Sequence, residues 1–296
     1  MSFSSEVKKE LTAMPATTGT MMALVRMNGS LNLGKELTLS IRFENSAIAQ
    51  YIYRGFSELY EISANLQVHQ KSNLSKNRVY TVCIEQEVEA LLDELSLADS
   101  LLLDSGLPEL IKNDQFLQAD YLRGTFLSSG SITNLDRTSY QLAIRNNYQE
   151  HAEDLIALLK NYQLNARLIE KKGCFISYLT KAEEIGDFLT IIGAMKSKFR
   201  FEETKILHEM RGLANRQSNF QSANIDKTVA ASQELIKVIK KLEAENELPT
   251  QLYDIARLRL EYPEATLTEL GQLHEPPLSK SAVNHRLRKI SSLRKI

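Results

Sequence analysis

The sequence predicts an α+β chain: a duplicated repeat of helices and strands, followed by an all-α terminal domain that ends in a helix-turn-helix. Three observations predict it. The run Leu122–Ile132 has a degraded copy at Met21–Leu31, each an apolar helical turn, a small residue, then Gly-Ser-apolar. The stretches behind the two runs also match: Leu39–Arg42 answers Leu142–Arg145, Ile62–Leu66 answers Leu164–Leu168, and Val88–Leu92 answers Ile185–Leu189. From Asn224 onward, apolar residues recur at helical spacing between turn and cap residues. The matched pairs lie roughly a hundred residues apart, which is a duplication rather than a solenoid of about 20–50-residue period.

In chain order, Ser4–Leu11 reads as a short helix capped by serines, and Pro15 ends it. The first motif helix closes at Gly29, the second at Gly130, each expected to adopt the left-handed cap conformation. Leu37, Leu39, Ile41 and Phe43 alternate with Thr38, Ser40 and Arg42, the period of a half-exposed strand. Tyr140, Leu142 and Ile144 alternate in the same way with Ser139, Gln141, Ala143 and Arg145. Ser72–Asn77 and the tighter Lys171–Gly173 read as hairpin loops. Asn and Ser between Phe199 and Asn224 favour turns over a continuous helix. The expected domains are residues 1–115 and 116–213 for the two repeats, a linker at 214–224, and a helical domain at 225–296.

Within that last domain Leu235, Val238, Ile239 and Leu242 form one apolar stripe, and Leu252, Ile255, Ala256 and Leu260 another. Thr266-Leu-Thr-Glu269 is a capping box opening a short helix. Glu275-Pro-Pro-Leu278 is a turn, and Ser279 caps a second helix, placing the helix-turn-helix at 266–290. In the second helix Val283, Leu287 and Ile290 pack inward, while Ser281, Asn284, His285 and Arg288 fall on the outer face. These are hydrogen-bonding types suited to base edges in the major groove. Lys280, Arg286, Lys289, Arg294 and Lys295 flank them for phosphate contact, and residues 278–296 contain no acid.

Composition sets the bounds. The chain has 296 residues, 43% of them hydrophobic and 25% charged, with a net charge of −1. It can therefore hold two or three domains with real cores, and nucleic-acid contact must come from local patches. Cys83 and Cys174 fall among apolar strand residues and read as small buried hydrophobes, not as a disulfide or metal pair. No apolar run reaches the roughly twenty residues that span a bilayer, and no signal peptide is visible. The expected location is cytoplasmic and nucleoid-associated, with no membrane partner and no cofactor.

Leu122–Ile132 aligns without gaps to the motif of the LAGLIDADG homing endonucleases. The chain behind it is similar to that family's αββαββα unit. The resemblance implies two motif helices packed through small residues, here Gly124 and Ser128 against Ala23 and Met27, and two sheets forming a saddle over duplex DNA. It also implies a carboxylate just before each terminal glycine, where this chain has Asn28 and Ser129. The other acidic position of the motif is Arg26 in one copy and Leu127 in the other. Hard divalent cations need carboxylate oxygens, so the nuclease chemistry is expected to be lost.

On the saddle, Arg42, Arg145, Arg167 and Lys171 would face DNA; solvated strand charge is the alternative reading of each. Glu85, Glu87, Glu89, Asp93, Glu94, Asp99, Asp104, Glu109 and Asp114 make the first lobe acidic, which suits a protein partner better than phosphate.

Taken together, the chain resembles the WhiA family of Gram-positive bacteria over nearly its whole length. The residues that carry the likeness are Ser2–Glu10, Leu122–Ser131, Asn215, Arg216, Asn219, Ala223, Asn224 and, most specifically, Leu278–Ile290. Phe220 stands where the family usually has cysteine, and Ala282 where it usually has glycine. The resemblance implies a DNA-binding regulator without nuclease activity, acting in sporulation-linked transcription or in cell division and chromosome segregation. It further implies double-stranded DNA as partner and contact with transcription machinery. Two other readings stand beside it. One is a residual metal-dependent endonuclease recruiting Asp120 or Asp136; the other is a protein-docking module with secondary DNA contact.

Overall fold

The computed structural model describes residues 2–70, 78–97, 106–133, 135 and 139–293. The expected Ser72–Asn77 loop, Asp136, Arg294 and Lys295 lie outside them. The chain divides into two compact units, residues 1–208 and 209–296.

The first unit is α+β. Its first half runs α1 (Phe3–Leu11), α2 (Thr18–Asn28), β1 (Gly29–Leu33), β2 (Leu37–Phe43), α3 (Ser46–Tyr60), β3 (Asn65–Gln70), β4 (Arg78–Ile84) and α4 (Val88–Glu94). The second half runs α5 (Glu109–Asn113), α6 (Gln115–Ser129), β5 (Ser131–Ile132), β6 (Leu142–Asn146), α7 (Gln149–Asn161), β7 (Arg167–Lys171), β8 (Cys174–Leu179) and α8 (Ala182–Ile191). Each half carries an antiparallel four-stranded sheet, ordered β1-β2-β4-β3 in one and β5-β6-β8-β7 in the other. The alternation read from the sequence sets which face is covered. Leu39, Ile41 and Phe43 are buried under helices, as are Leu142 and Ile144, and the residues between them point to the open side.

The motif helices α2 and α6 lie against each other at the centre. Their approach leaves no room for a side chain: a Cβ on Gly124 would stand 2.5 Å from the Thr20 carbonyl oxygen and 2.6 Å from the Ala23 Cβ. Gly19 makes the reciprocal contact, 2.7 Å from the Leu117 carbonyl oxygen, one turn earlier than the small residues the motif points to.

The terminal glycines differ from expectation. Gly29 has φ −74° and Gly130 φ −65°, both extended rather than left-handed. Glycine is needed there for space: a Cβ would run into the Val25 carbonyl oxygen in one case and the Phe126 ring in the other. The two cysteines are free and half-buried rather than fully enclosed.

Helix α1 packs mainly on the second repeat. Ser2 caps it by accepting from the Ser5 amide. The Ser4 hydroxyl donates to the Ile132 carbonyl at 2.9 Å, and the Phe3 and Phe201 rings stack with centroids 6.1 Å apart. The Glu10 carboxylate accepts from the Lys196 and Ser197 amides at 2.8 and 2.9 Å. It thereby caps the start of α9 (Met195–Ala244), where helix N–H groups have no partner of their own.

Helix α9 overturns the expected turns at 214–224. It runs unbroken through Asn215, Ser218, Asn219, Ser222 and Asn224. Each Asn or Ser costs only about half a kcal/mol against alanine in a helix, and no proline interrupts the segment. Leu213, Ala214, Arg216 and Gln217 favour helix, which outweighs that cost.

The second unit is all-helical, with α10 (Thr250–Glu261), α11 (Leu267–Leu273) and α12 (Lys280–Ser292) packed on the end of α9. Val238, Ile239, Leu242, Leu252, Ile255, Leu270, Val283, Leu287 and Ile290 close a core of their own.

Candidate nucleic-acid interface

The helix-turn-helix is fixed by local chemistry at each corner. The Thr266 hydroxyl accepts from the Glu269 amide, and the Glu269 carboxylate accepts from the Thr266 amide at 2.7 Å, completing the capping box. Hydrogen bonding from Thr266, its backbone amide foremost and its side chain second, holds the Glu269 carboxyl below the usual range. Buried Arg259 ties the α10–α11 connection by donating to the Ala265 carbonyl at 2.7 Å. The turn closes on Gly271, whose carbonyl accepts from the Leu278 amide at 2.8 Å. A Cβ on Gly271 would collide with the Leu278 carbonyl oxygen.

Helix α12 then emerges with Val283, Leu287 and Ile290 buried, and the opposite face free. Ser281, His285, Arg288 and Lys289 are exposed there together. Ser279 is occupied as the cap, accepting from the Ala282 amide at 3.3 Å. Lys280 and Asn284 lie on the flank, along a cleft toward α9. Arg286 is turned away: its Nη1 donates to the His274 Nε2 at 3.0 Å. The His274 Nδ1 in turn donates to the Pro276 carbonyl at 2.8 Å. His274 is 5% exposed, so Arg286 anchors α12 to the turn. Sequence reasoning misses His274 and Gly271, because neither belongs to the helix whose spacing carries the signal.

In the first unit the saddle cations sit on the open sheet faces. Arg42 pairs in register with Thr81, and Thr81 with Gln67. Arg145 pairs with Ile176 and then Ile169, while Arg167 lies beside Tyr178 and Lys171 beside Cys174. All four cations are exposed.

At the ends of α2 and α6 the positions before the glycines point inward. The Asn28 Oδ1 accepts a short hydrogen bond from the Ser128 hydroxyl, joining the two helices. The Ser129 hydroxyl donates to the Arg145 carbonyl at 2.7 Å. Beside them is a cavity of about 170 Å³. Arg26, 4% exposed, lines it with its guanidinium 5.0 Å from the centre of the Tyr148 ring. His151 accepts at Nε2 from Tyr121 and donates at Nδ1 to Asn146, both at 2.8 Å. Burial, reinforced by the Arg26 charge, lowers its pKa to about 4. Asp120 is ion-paired to Arg123 at 2.9 Å, nine residues before the helix end, which is roughly 13 Å along the axis. Among the described residues no three His, Cys, Asp or Glu side chains are grouped to hold a metal ion.

Residues 16–98 match the family model described as the WhiA N-terminal LAGLIDADG-like domain. Residues 118–211 match the WhiA LAGLIDADG-like domain, and residues 214–294 the WhiA C-terminal HTH domain. The chain is 61% identical over 293 residues to a "Probable cell division protein WhiA" of Lactococcus lactis subsp. cremoris (strain MG1363), covering 98% of this chain and 96% of that protein. It is 42% identical over 299 residues to the protein of the same description from Streptococcus sanguinis (strain SK36), covering 99% of each. Among solved structures, full-length DUF199/WhiA from Thermatoga maritima superposes with a TM-score of 0.60 at 23% identity, over 100% of this chain and 98% of that one.

Proposed function

The chain belongs to the WhiA family, and from that premise we propose that it is a sequence-specific transcriptional regulator of cell division and chromosome segregation that reads duplex DNA with α12 and cuts nothing. The observation that carries this reading is the exposed set Ser281, His285, Arg288 and Lys289 on a doubly anchored helix, followed by a stretch without acids. Hydrogen-bonding side chains in the middle of such a helix suit base edges, and the flanking cations suit phosphates. The loss of cleavage is supported by Asn28 and Ser129, which spend their polar groups on Ser128 and on the Arg145 backbone. The open face bearing Arg145, Arg167 and Lys171 serves as a second DNA surface. On this reading the protein sits on the nucleoid, and the acidic segment at Glu85–Glu94 faces the transcription machinery.

Binding to specific and random duplexes across a salt series tests the reader. Arg288→Ala should lower affinity for the specific site by about 1–3 kcal/mol and relax its preference. Lys289→Ala should weaken all duplexes alike and reduce the salt slope by about one unit. Arg286→Ala should leave the slope unchanged, since its guanidinium is held by His274. Wild-type behaviour in the Arg288 and Lys289 variants would remove α12 as the reader. Nicking of supercoiled plasmid with Mg²⁺ or Mn²⁺, abolished by Asp136→Ala, would restore the nuclease reading.

A further inference from the structure

The second unit holds a cleft of about 690 Å³ between the end of α9 and the flank of α12. That volume falls within the range of small-molecule sites, about 300–1,000 Å³. Its chemistry is divided. Leu235 and the buried Leu287 give it an apolar floor; besides the buried Arg259, which is held by backbone carbonyls, Lys227, Lys280 and Arg288 place three exposed cations around it. None of the three has an ion-pair partner among the described residues, and no carboxylate stands among the described residues that line the cleft. Asn284 adds an amide.

We propose that this cleft binds a small amphipathic anion, an aromatic or other apolar body carrying a phosphate, sulfonate or carboxylate head, and that its occupancy opposes DNA binding. A phosphodiester backbone satisfies the cations but has nothing apolar to set on Leu235 and Leu287. An aromatic anion satisfies both. Ser281 and His285, which point most directly away from the α12 core, are outside the cleft, whereas Arg288 belongs to both surfaces. A ligand that engages Arg288 from the α9 side withdraws it from base contact. Linkage then requires DNA to lower ligand affinity by the same factor as ligand lowers DNA affinity. The opposition to DNA rests on α12 being the reader; the site itself does not.

The test uses the full chain and 8-anilinonaphthalene-1-sulfonate, an aromatic sulfonate whose fluorescence rises on binding. The probe is expected to bind at one site, and Lys227→Glu to weaken it by about tenfold, the worth of one charge-assisted contact of about 1.4 kcal/mol. Equimolar sulfate, a head without a body, should not displace it. Arg288→Ala should weaken both probe and duplex, and specific duplex should displace the probe. Unchanged probe affinity in Lys227→Glu, or displacement by sulfate alone, would overturn the site. If Lys227→Glu loses the probe but duplex and probe bind together without affecting each other, the site stands, and the opposition falls with the placement of the reader. Lys227 is exposed on the helix, so its replacement does not touch the core. Leu287→Ala would serve as a second variant, expected to weaken the probe through the floor.

Discussion

In the first repeat, the open sheet face presents Ser40, Arg42, Asn65, Gln67 and His69; in the second, it presents Arg145, Arg167 and Lys171 around Ile169, Ile176 and Tyr178. The strand order is the same. The central helices differ as little: Gly29 and Gly130 occupy equivalent corners, each where a Cβ would strike the chain. Duplication therefore preserved what the backbone requires and left the solvent side open to change. One face became polar with a single arginine, the other carries three cations around an apolar centre. On the proposed reading, nucleic-acid contact from this unit falls to the second repeat.

The sharpest way to break that asymmetry is to strip each face in turn. Replacing Arg145, Arg167 and Lys171 by alanine together should lower the log–log salt dependence of duplex binding by about 2.7, one increment of about 0.9 per phosphate. Replacing Arg42, Asn65 and Gln67 together should lower it by less than about one. Equal losses would dissolve the contrast. The cores offer a second comparison. Counting from the helix starts, buried His151 in α7 is answered by Ile48 in α3; in the alignment of Leu122–Ile132 with Met21–Leu31, Tyr121 in α6 is answered by Thr20 in α2. A histidine held neutral at a pKa of about 4, against 6.5 when unfolded, gains its proton only on unfolding between those values. Stability should then fall as pH drops from about 6.5 toward 4, by at most about 1.4 kcal/mol per pH unit, and level off below. Urea unfolding measured from pH 7 to 4 checks this: His151→Gln should show a shallower decline than the parent chain. The smallest expected effect concerns the helix crossing. Gly124→Ala should destabilise by about 1–3 kcal/mol, as its methyl is forced onto the Thr20 carbonyl. Gly19→Ala should cost less, because its nearest contact is 2.7 Å rather than 2.5 Å; thermal melts of the two variants rank them.

Much of this is legible in the residues. The capping box at Thr266–Glu269, the inward set Val283, Leu287 and Ile290, and the alternation in β2 are local patterns, and local patterns survive folding. Gly29 and Gly130 stand out in the sequence for the wrong reason. Sequence shows that a glycine is required, not whether a dihedral or a neighbour requires it. The unbroken run of α9 through 214–224 is hidden because Asn and Ser signal turns only where something else ends the helix. Charge alone assigns Arg286 to phosphate. Its diversion to His274 depends on where a turn places a ring twelve residues earlier, which no spacing rule records.

The attachment of α1 carries a consequence for how the protein is made. Glu10 is synthesised long before the Ser197 amide it caps, which lies 187 positions downstream. During translation the opening helix must wait, undocked, while the whole intervening β-rich segment is synthesised. Removing α1 would therefore injure the distal half of the first unit most, although that half is the farther one in sequence.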